Sequence, residues 1–166
     1  MTKIMGICGY SGSGKTTLLK KLILQLKARN VRFAVIKHSH HDMDIDIPGK
    51  DSYELRKSGA EQIIVASSHR WALITETPNN PPNLTDLVKQ FSDVDLVLVE
   101  GFKDAAITKI VCHRQANNKA LFYDSHTIAI ASDVHLVDEI KWFDIDDVEL
   151  ISNFIQCYLH NNASIP

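Results

Sequence analysis

The chain has 166 residues, 45% of them hydrophobic and 23% charged, with seven Gly and five Pro. These proportions exclude disordered, collagen-like and low-complexity chains and point to a single globular domain spanning residues 1–166. Eighteen Lys and Arg against twenty Asp and Glu leave a net charge of -2, with no run of like charge, so neither nucleic acid nor a membrane surface is an expected partner. The longest apolar runs, such as residues 94–99, fall far short of the ~20 residues of a membrane helix, and no secretory leader pattern opens the chain, which points to the cytoplasm. Cys8, Cys112 and Cys157 are odd in number and form no C-x-x-C pair, so they are expected to be reduced and buried.

Residues 3–8 form a short apolar run that stops at Gly9, after which Leu18, Leu19, Leu22, Ile23 and Leu26 recur at helical spacing. The order is strand, glycine loop, helix, and Asn30 closes the helix. Residues 31–37 (VRFAVIK) are β-branched and aromatic enough for a second strand, so a parallel β-α-β unit opens the fold. Residues 38–50 are polar, aperiodic and carry Pro48 and Gly49, a loop at the carboxyl end of a strand where open α/β sheets bind ligands. Asp51 and Glu54 have the spacing of a capping box, and Gly59 is placed to end the short helix that follows. The period then changes to two. QIIVA (62–66) and WALIT (71–75) are separated by four residues and predict an antiparallel hairpin. Leu84, Leu87, Val88 and Phe91 mark another helical face, and residues 94–99 are apolar on both faces, as a central parallel strand is. Residues 108–113 and 127–131 predict two more strands, and Val148, Ile151, Phe154, Ile155 and Tyr158 a closing helix capped by Asp146 or Asp144. The expected fold is α/β: a P-loop NTPase-like three-layer sandwich, its sheet mostly parallel, with an inserted antiparallel hairpin.

The segment Gly9-Tyr-Ser-Gly-Ser-Gly-Lys15-Thr16 fits G-x-x-x-x-G-K-[ST] between a strand and a helix, the context a phosphate loop requires. Glycines let successive N–H groups point inward, and the helix N-terminus adds partial positive charge, so Gly12, Ser13, Gly14, Lys15, Thr16 and Thr17 form a cradle for a triphosphate. Lys15 neutralises the β and γ phosphates, and Thr16 offers its hydroxyl to Mg²⁺. A second acidic group belongs at the end of a neighbouring buried strand, and Glu100, after DLVLV and before Gly101, meets that description. Three histidines and three aspartates fall within residues 38–46. His38, His40, His41, Asp42 and Asp44, with Lys50, read as a nucleotide-responsive switch or second-ligand loop, as a plain solvated loop, or as transition-metal ligands. Asp133, after a late strand, stands where a carboxylate reads guanine, although the N-K-x-D wording is absent. No catalytic glutamine or arginine finger is marked, so binding is expected ahead of turnover.

GYSGSGKTTLLKKLI, VIKHSHHDMDIDIPGKDSYELRKSGA, VASSHRWALITET, DLVLVEGFK and IAIASDV together resemble the MobB family, the molybdopterin-guanine dinucleotide biosynthesis adapter proteins, over nearly the whole chain. The resemblance implies a homodimer with weak GTPase activity that binds GTP and Mg²⁺. It also implies a partner, a MobA-like guanylyltransferase, which itself joins GMP to the molybdenum-bound pterin. Carried onto this sequence, it puts residues 12–17 on the phosphates, Thr16 and Glu100 at Mg²⁺ and Asp133 near the base, with residues 38–50 facing nucleotide, molybdopterin or partner. The hairpin over residues 62–75 is the candidate dimer contact. Two other functions fit the same loop: a GTP-dependent metallochaperone using His38, His40 and His41, and an ATP-dependent small-molecule kinase.

Overall fold

The structure, a computed structural model, describes residues 2–39 and 45–160. Along the chain run β1 (Lys3–Cys8), α1 (Lys15–Ala28), β2 (Phe33–Lys37), α2 (Asp51–Lys57), β3 (Gln62–Ala66), β4 (Trp71–Thr75), α3 (Leu84–Val88), β5 (Leu96–Glu100), β6 (Lys109–His113), β7 (Thr127–Ser132), β8 (Lys141–Asp144) and α4 (Val148–His160). They group into two compact units, Met1–His38 with Leu87–Pro166, and Ser39–Asp86.

The first unit is built on a six-stranded sheet of order β2-β5-β1-β6-β7-β8, in which every pairing is parallel. β5 separates β1 from β2, so the opening β-α-β unit skips one strand, and the strand that is apolar on both faces is indeed internal and buried along its whole length. Met5 and Ile7 of β1, Leu96 and Leu98 of β5, Ile110 and Cys112 of β6, and Ala129 and Ala131 of β7 project from one face. Against them pack Leu18, Leu19, Leu22 and Leu26 of α1 and Ile151 and Ile155 of α4. All six of these helical side chains are buried, each burial contributing roughly 1.5–3 kcal/mol, so α1 and the glycine loop that precedes it are fixed to the sheet by the helix's own leucines.

Two readings of helix starts change. The cap of α4 is neither Asp146 nor Asp144: Asp147 Oδ1 accepts the backbone N–H of Leu150 at 3.0 Å. Asp144 is instead the last residue of β8 and accepts the N–H of Asp146 at 2.9 Å. In α2 the residue before the helix is Lys50, extended at φ -95 and ψ 149, and no side chain caps it. Asp51 is therefore already helical, and it and Glu54 act on the positive helix end through charge rather than as a capping box. Gly59 does end that stretch, at φ +106, its N–H donating to the Arg56 carbonyl at 3.0 Å.

In the second unit β3 and β4 pair antiparallel from Gln62 opposite Thr75 to Ala66 opposite Trp71. Arg56 of α2 donates to Asp46 at 2.7 Å and to Glu76 at 3.2 Å. The Arg56 guanidinium holds the Asp46 carboxyl below its ordinary value, so a single cation ties the segment before α2, the helix and the residue after β4 together. Among the described residues no helix is long and apolar enough to cross a membrane.

Replacing Asp147 by Ala removes the only side-chain acceptor for the Leu150 N–H among the described residues, and should lower unfolding free energy by about 1 kcal/mol. Urea denaturation followed by circular dichroism tests this through the midpoint, with an unchanged slope.

Candidate functional site

The chain leaves β1 at Cys8, curls through residues 9–14 and enters α1 at Lys15. Gly14 occupies the position before the helix at φ +89. A Cβ there would be strained and would lie 3.1 Å from Ile145 Cδ1 and 3.3 Å from Arg114 Nε, so glycine is required both by the turn and by its neighbours. The Ser13 N–H donates to the Tyr10 carbonyl at 3.1 Å and closes the curl. Ser13 Oγ is buried and has no hydrogen-bond partner among the described residues.

Lys15 folds back over the loop, its Nζ donating to the Tyr10 carbonyl at 2.7 Å. One residue on, the Thr16 hydroxyl donates to Glu100 Oε1 at 2.8 Å. Glu100 ends β5 opposite Ile7 of β1 and is only 8% exposed. The next residue, Gly101, has φ +97, and a Cβ there would lie 3.0 Å from His38 Cβ. His38 follows β2, donates its backbone N–H to the Glu100 carbonyl at 2.9 Å and sets its ring 4.2 Å from that of Phe102.

The other wall of the loop comes from the carboxyl ends of β6, β7 and β8. Asn117 Nδ2 donates to the Ser11 carbonyl at 2.9 Å. Tyr10 meets the Phe122 ring edge-on at 5.4 Å. Arg114, beside Gly14, pairs with Asp146 at 3.0 Å, and Lys21 stands 3.5 Å from the same carboxylate. Arg114 chiefly, with Lys21, holds the Asp146 carboxyl below its ordinary value. Asp133, just after β7, accepts the Gln115 N–H at 2.9 Å through Oδ1.

The sequence-derived set thus divides. Gly12, Ser13, Gly14, Lys15, Thr16, Thr17, Glu100, Asp133 and His38 all stand at the carboxyl edge of one sheet. Lys50 belongs to the second unit, where it precedes α2, and His40, His41, Asp42 and Asp44 lie outside the described residues. Sequence reasoning passed over Tyr10, Arg114, Asn117 and Asp146. Their available signal was position: Arg114 directly follows a parallel strand, at the sheet edge where such folds bind ligands.

A cation, the N-terminus of α1 and a hydroxyl–carboxylate pair suit a polyphosphate carrying a hard divalent ion, which takes only one or two protein oxygens. Thr16 Oγ1 and Glu100 Oε1 fit that requirement. The family model for "Molybdopterin guanine dinucleotide synthesis protein B", MobB, matches residues 4–133. The chain belongs to the MobB family. It is 52% identical over 161 residues to a molybdopterin-guanine dinucleotide biosynthesis adapter protein of Escherichia coli, covering 93% of this chain and 92% of that one. It is 48% identical to the protein of the same name in Haemophilus influenzae, covering 95% and 90%. A crystal structure of a molybdopterin-guanine biosynthesis protein B superposes with a TM-score of 0.73 at 31% identity, over 93% of this chain and 99% of that one. Bacillus subtilis MobB shares the fold, with a TM-score of 0.78 at 24% identity over 97% and 99%. The MobB match ends at Asp133, so it spans the glycine loop, Glu100 and both strands of the hairpin.

The cysteines divide as well. Burial pushes the Cys8 thiol up to about 11 and the Cys112 thiol up to about 12, and the Cys8 thiol donates to the Gly101 carbonyl at 3.2 Å. Cys157, expected to be buried, is exposed, because it lies on the side of α4 away from Ile151 and Ile155. Iodoacetamide at pH 8 should therefore alkylate one thiol rapidly, Cys157→Ser should abolish that fast phase, and Cys8 and Cys112 should react only on unfolding. Peptide mass mapping over time checks the order.

Proposed function

We propose that this chain is a cytoplasmic GTP-binding adapter in molybdenum cofactor biosynthesis, all 166 residues serving as one P-loop nucleotide-binding domain. In this reading it assists conversion of Mo-molybdopterin to its guanine dinucleotide form, with GTP hydrolysis weak at most. The nucleotidyl transfer belongs to a MobA-like guanylyltransferase on which the nucleotide-loaded adapter docks. The observation that carries the nucleotide part is the 2.8 Å contact between Thr16 and Glu100 at the mouth of the glycine loop. It supports a ready pair of oxygens for Mg²⁺, while Lys15 and the amides of residues 12–17 take the phosphates. The names of the relatives support the pathway. Asp133 is assigned to the guanine base, and the segment from His38 to Lys50, including His40, His41, Asp42 and Asp44, to the pterin or the partner enzyme.

Titration calorimetry with Mg²⁺ should give at least tenfold tighter binding of GTP than of ATP, a difference of about 1.4 kcal/mol. Lys15→Ala should abolish binding of both and, with it, nucleotide-dependent pull-down of the guanylyltransferase. Preference for ATP would overturn the guanine assignment and favour a kinase.

The hairpin supports self-association. Ile64 is 65% exposed and Trp71 69% exposed, with Leu73 on the same face also open to solvent, and a two-stranded sheet is marginal without further packing. We assign this apolar surface to a second copy of the chain. Size-exclusion chromatography with light scattering should return a dimer for the unaltered protein and a monomer for the Ile64→Glu/Trp71→Glu double variant.

A further inference from the structure

Among the described residues Lys109 is the largest fully buried side chain, and it is a cation by type: at the start of β6, it is 0% exposed. It stands opposite Gly6 of β1, where the absence of a side chain leaves room for its stem, since a Cβ on Gly6 would come within 3.1 Å of Lys109 Cβ. Its Nζ donates to Asp124 Oδ2 at 2.7 Å and to the Lys103 carbonyl at 2.8 Å. Asp124 is itself held by the His126 N–H at 3.0 Å and the Thr127 hydroxyl at 3.1 Å. Burial raises the Asp124 carboxyl, but these bonds outweigh it and hold the group below its ordinary value. A buried lysine of this kind is costly unless every donor is directed, and here one donor is spent on a single backbone carbonyl of a surface loop.

That loop follows Glu100, the last residue of β5. Lys103 lies three residues beyond it, is exposed, and places its Nζ 5.8 Å from the centre of the Tyr10 ring. Among the described residues no carboxylate pairs with Lys103. Tyr10 is also the residue whose carbonyl receives the Lys15 Nζ. In a phosphate loop that lysine serves the β and γ phosphates. Lys103 therefore reaches the glycine loop from the end of β5 that carries Glu100, whose carboxylate receives the Thr16 hydroxyl.

We propose that Lys103 is the residue by which this site distinguishes a nucleoside triphosphate from a diphosphate, its Nζ moving from the Tyr10 ring to a terminal phosphate oxygen, with Lys109 as the positioning residue that anchors its backbone. The inference rests on the nucleotide reading above. It adds a cation that the glycine motif does not contain, delivered from the metal-side strand. The movement is one of the side chain: the carbonyl of Lys103 stays pinned by Lys109 while its flexible stem turns. A terminal phosphate brings charge for a charge-assisted contact, and a diphosphate offers nothing at that place.

The test is calorimetric titration of the full chain with Mg²⁺ and either GDP or the β,γ-imido analogue of GTP, for the unaltered protein, Lys103→Ala, Lys103→Arg and Asp124→Asn. Lys103→Ala should weaken the triphosphate analogue by about tenfold or more and leave GDP within about twofold, the scatter expected of a group that does not touch it. Lys103→Arg should restore most of the preference, and Asp124→Asn, which loosens the anchor at a distance from the ligand, should lower it partway. Equal weakening of both nucleotides in Lys103→Ala, or an unchanged ratio, overturns the proposal while leaving the nucleotide site standing. Failure of the unaltered protein to bind either nucleotide overturns the nucleotide reading and this inference with it.

Discussion

The register of β1 against β5 governs the rest of the site. Ile7 lies opposite Glu100, so the strand that launches the phosphate loop and the strand that ends in the acidic residue stop at the same level of the sheet. Parallel neighbours share facing, so Glu100 emerges on the α1 side, where Thr16 of the first helical turn meets it. A shift of one residue would turn Glu100 to the opposite face, leaving the Thr16 hydroxyl beside a valine or a glycine. The register is held by burial: Leu96, Val97, Leu98 and Val99 are all 0% exposed, and any slip would require these side chains to exchange faces together.

Much of this was legible in the sequence because the informative signals are local. The phosphate loop needs glycines at fixed offsets, and β5 announces itself through an apolar run ended by Glu-Gly. β8 escaped notice because its four residues bury only Phe143 fully and have no period to detect; it is recognisable through the Trp142 indole, which donates to the Val134 carbonyl at 3.0 Å, a contact across a loop. The α4 cap was misplaced by one residue because three of the four residues from Asp144 to Asp147 are aspartates, and spacing alone does not choose among them. Cys157 was misjudged on residue type, whereas exposure follows from which side of α4 it occupies.

The second class of unreadable features consists of pairings between distant segments. Nothing in the string around Lys109 distinguishes it from a surface lysine, since its partners are Asp124 and the backbone of Lys103. Arg56 is similar: a cation on a short helix reads as solvated, and only folding brings Asp46 and Glu76 to it. In both places one long cationic side chain fastens loops that carry little apolar surface, a task that hydrophobic packing cannot perform where there is nothing apolar to bury.

The Thr16–Glu100 hydrogen bond also bears on how the proposed site would take an ion. The hydroxyl proton points at the carboxylate, so a cation held by both oxygens would take the place of that hydrogen bond. The two oxygens are already near one another, which limits the ordering required, yet an existing contact is surrendered for the new one. In the nucleotide reading proposed above, an ion taken up between these two residues would therefore replace a contact that the protein makes with itself.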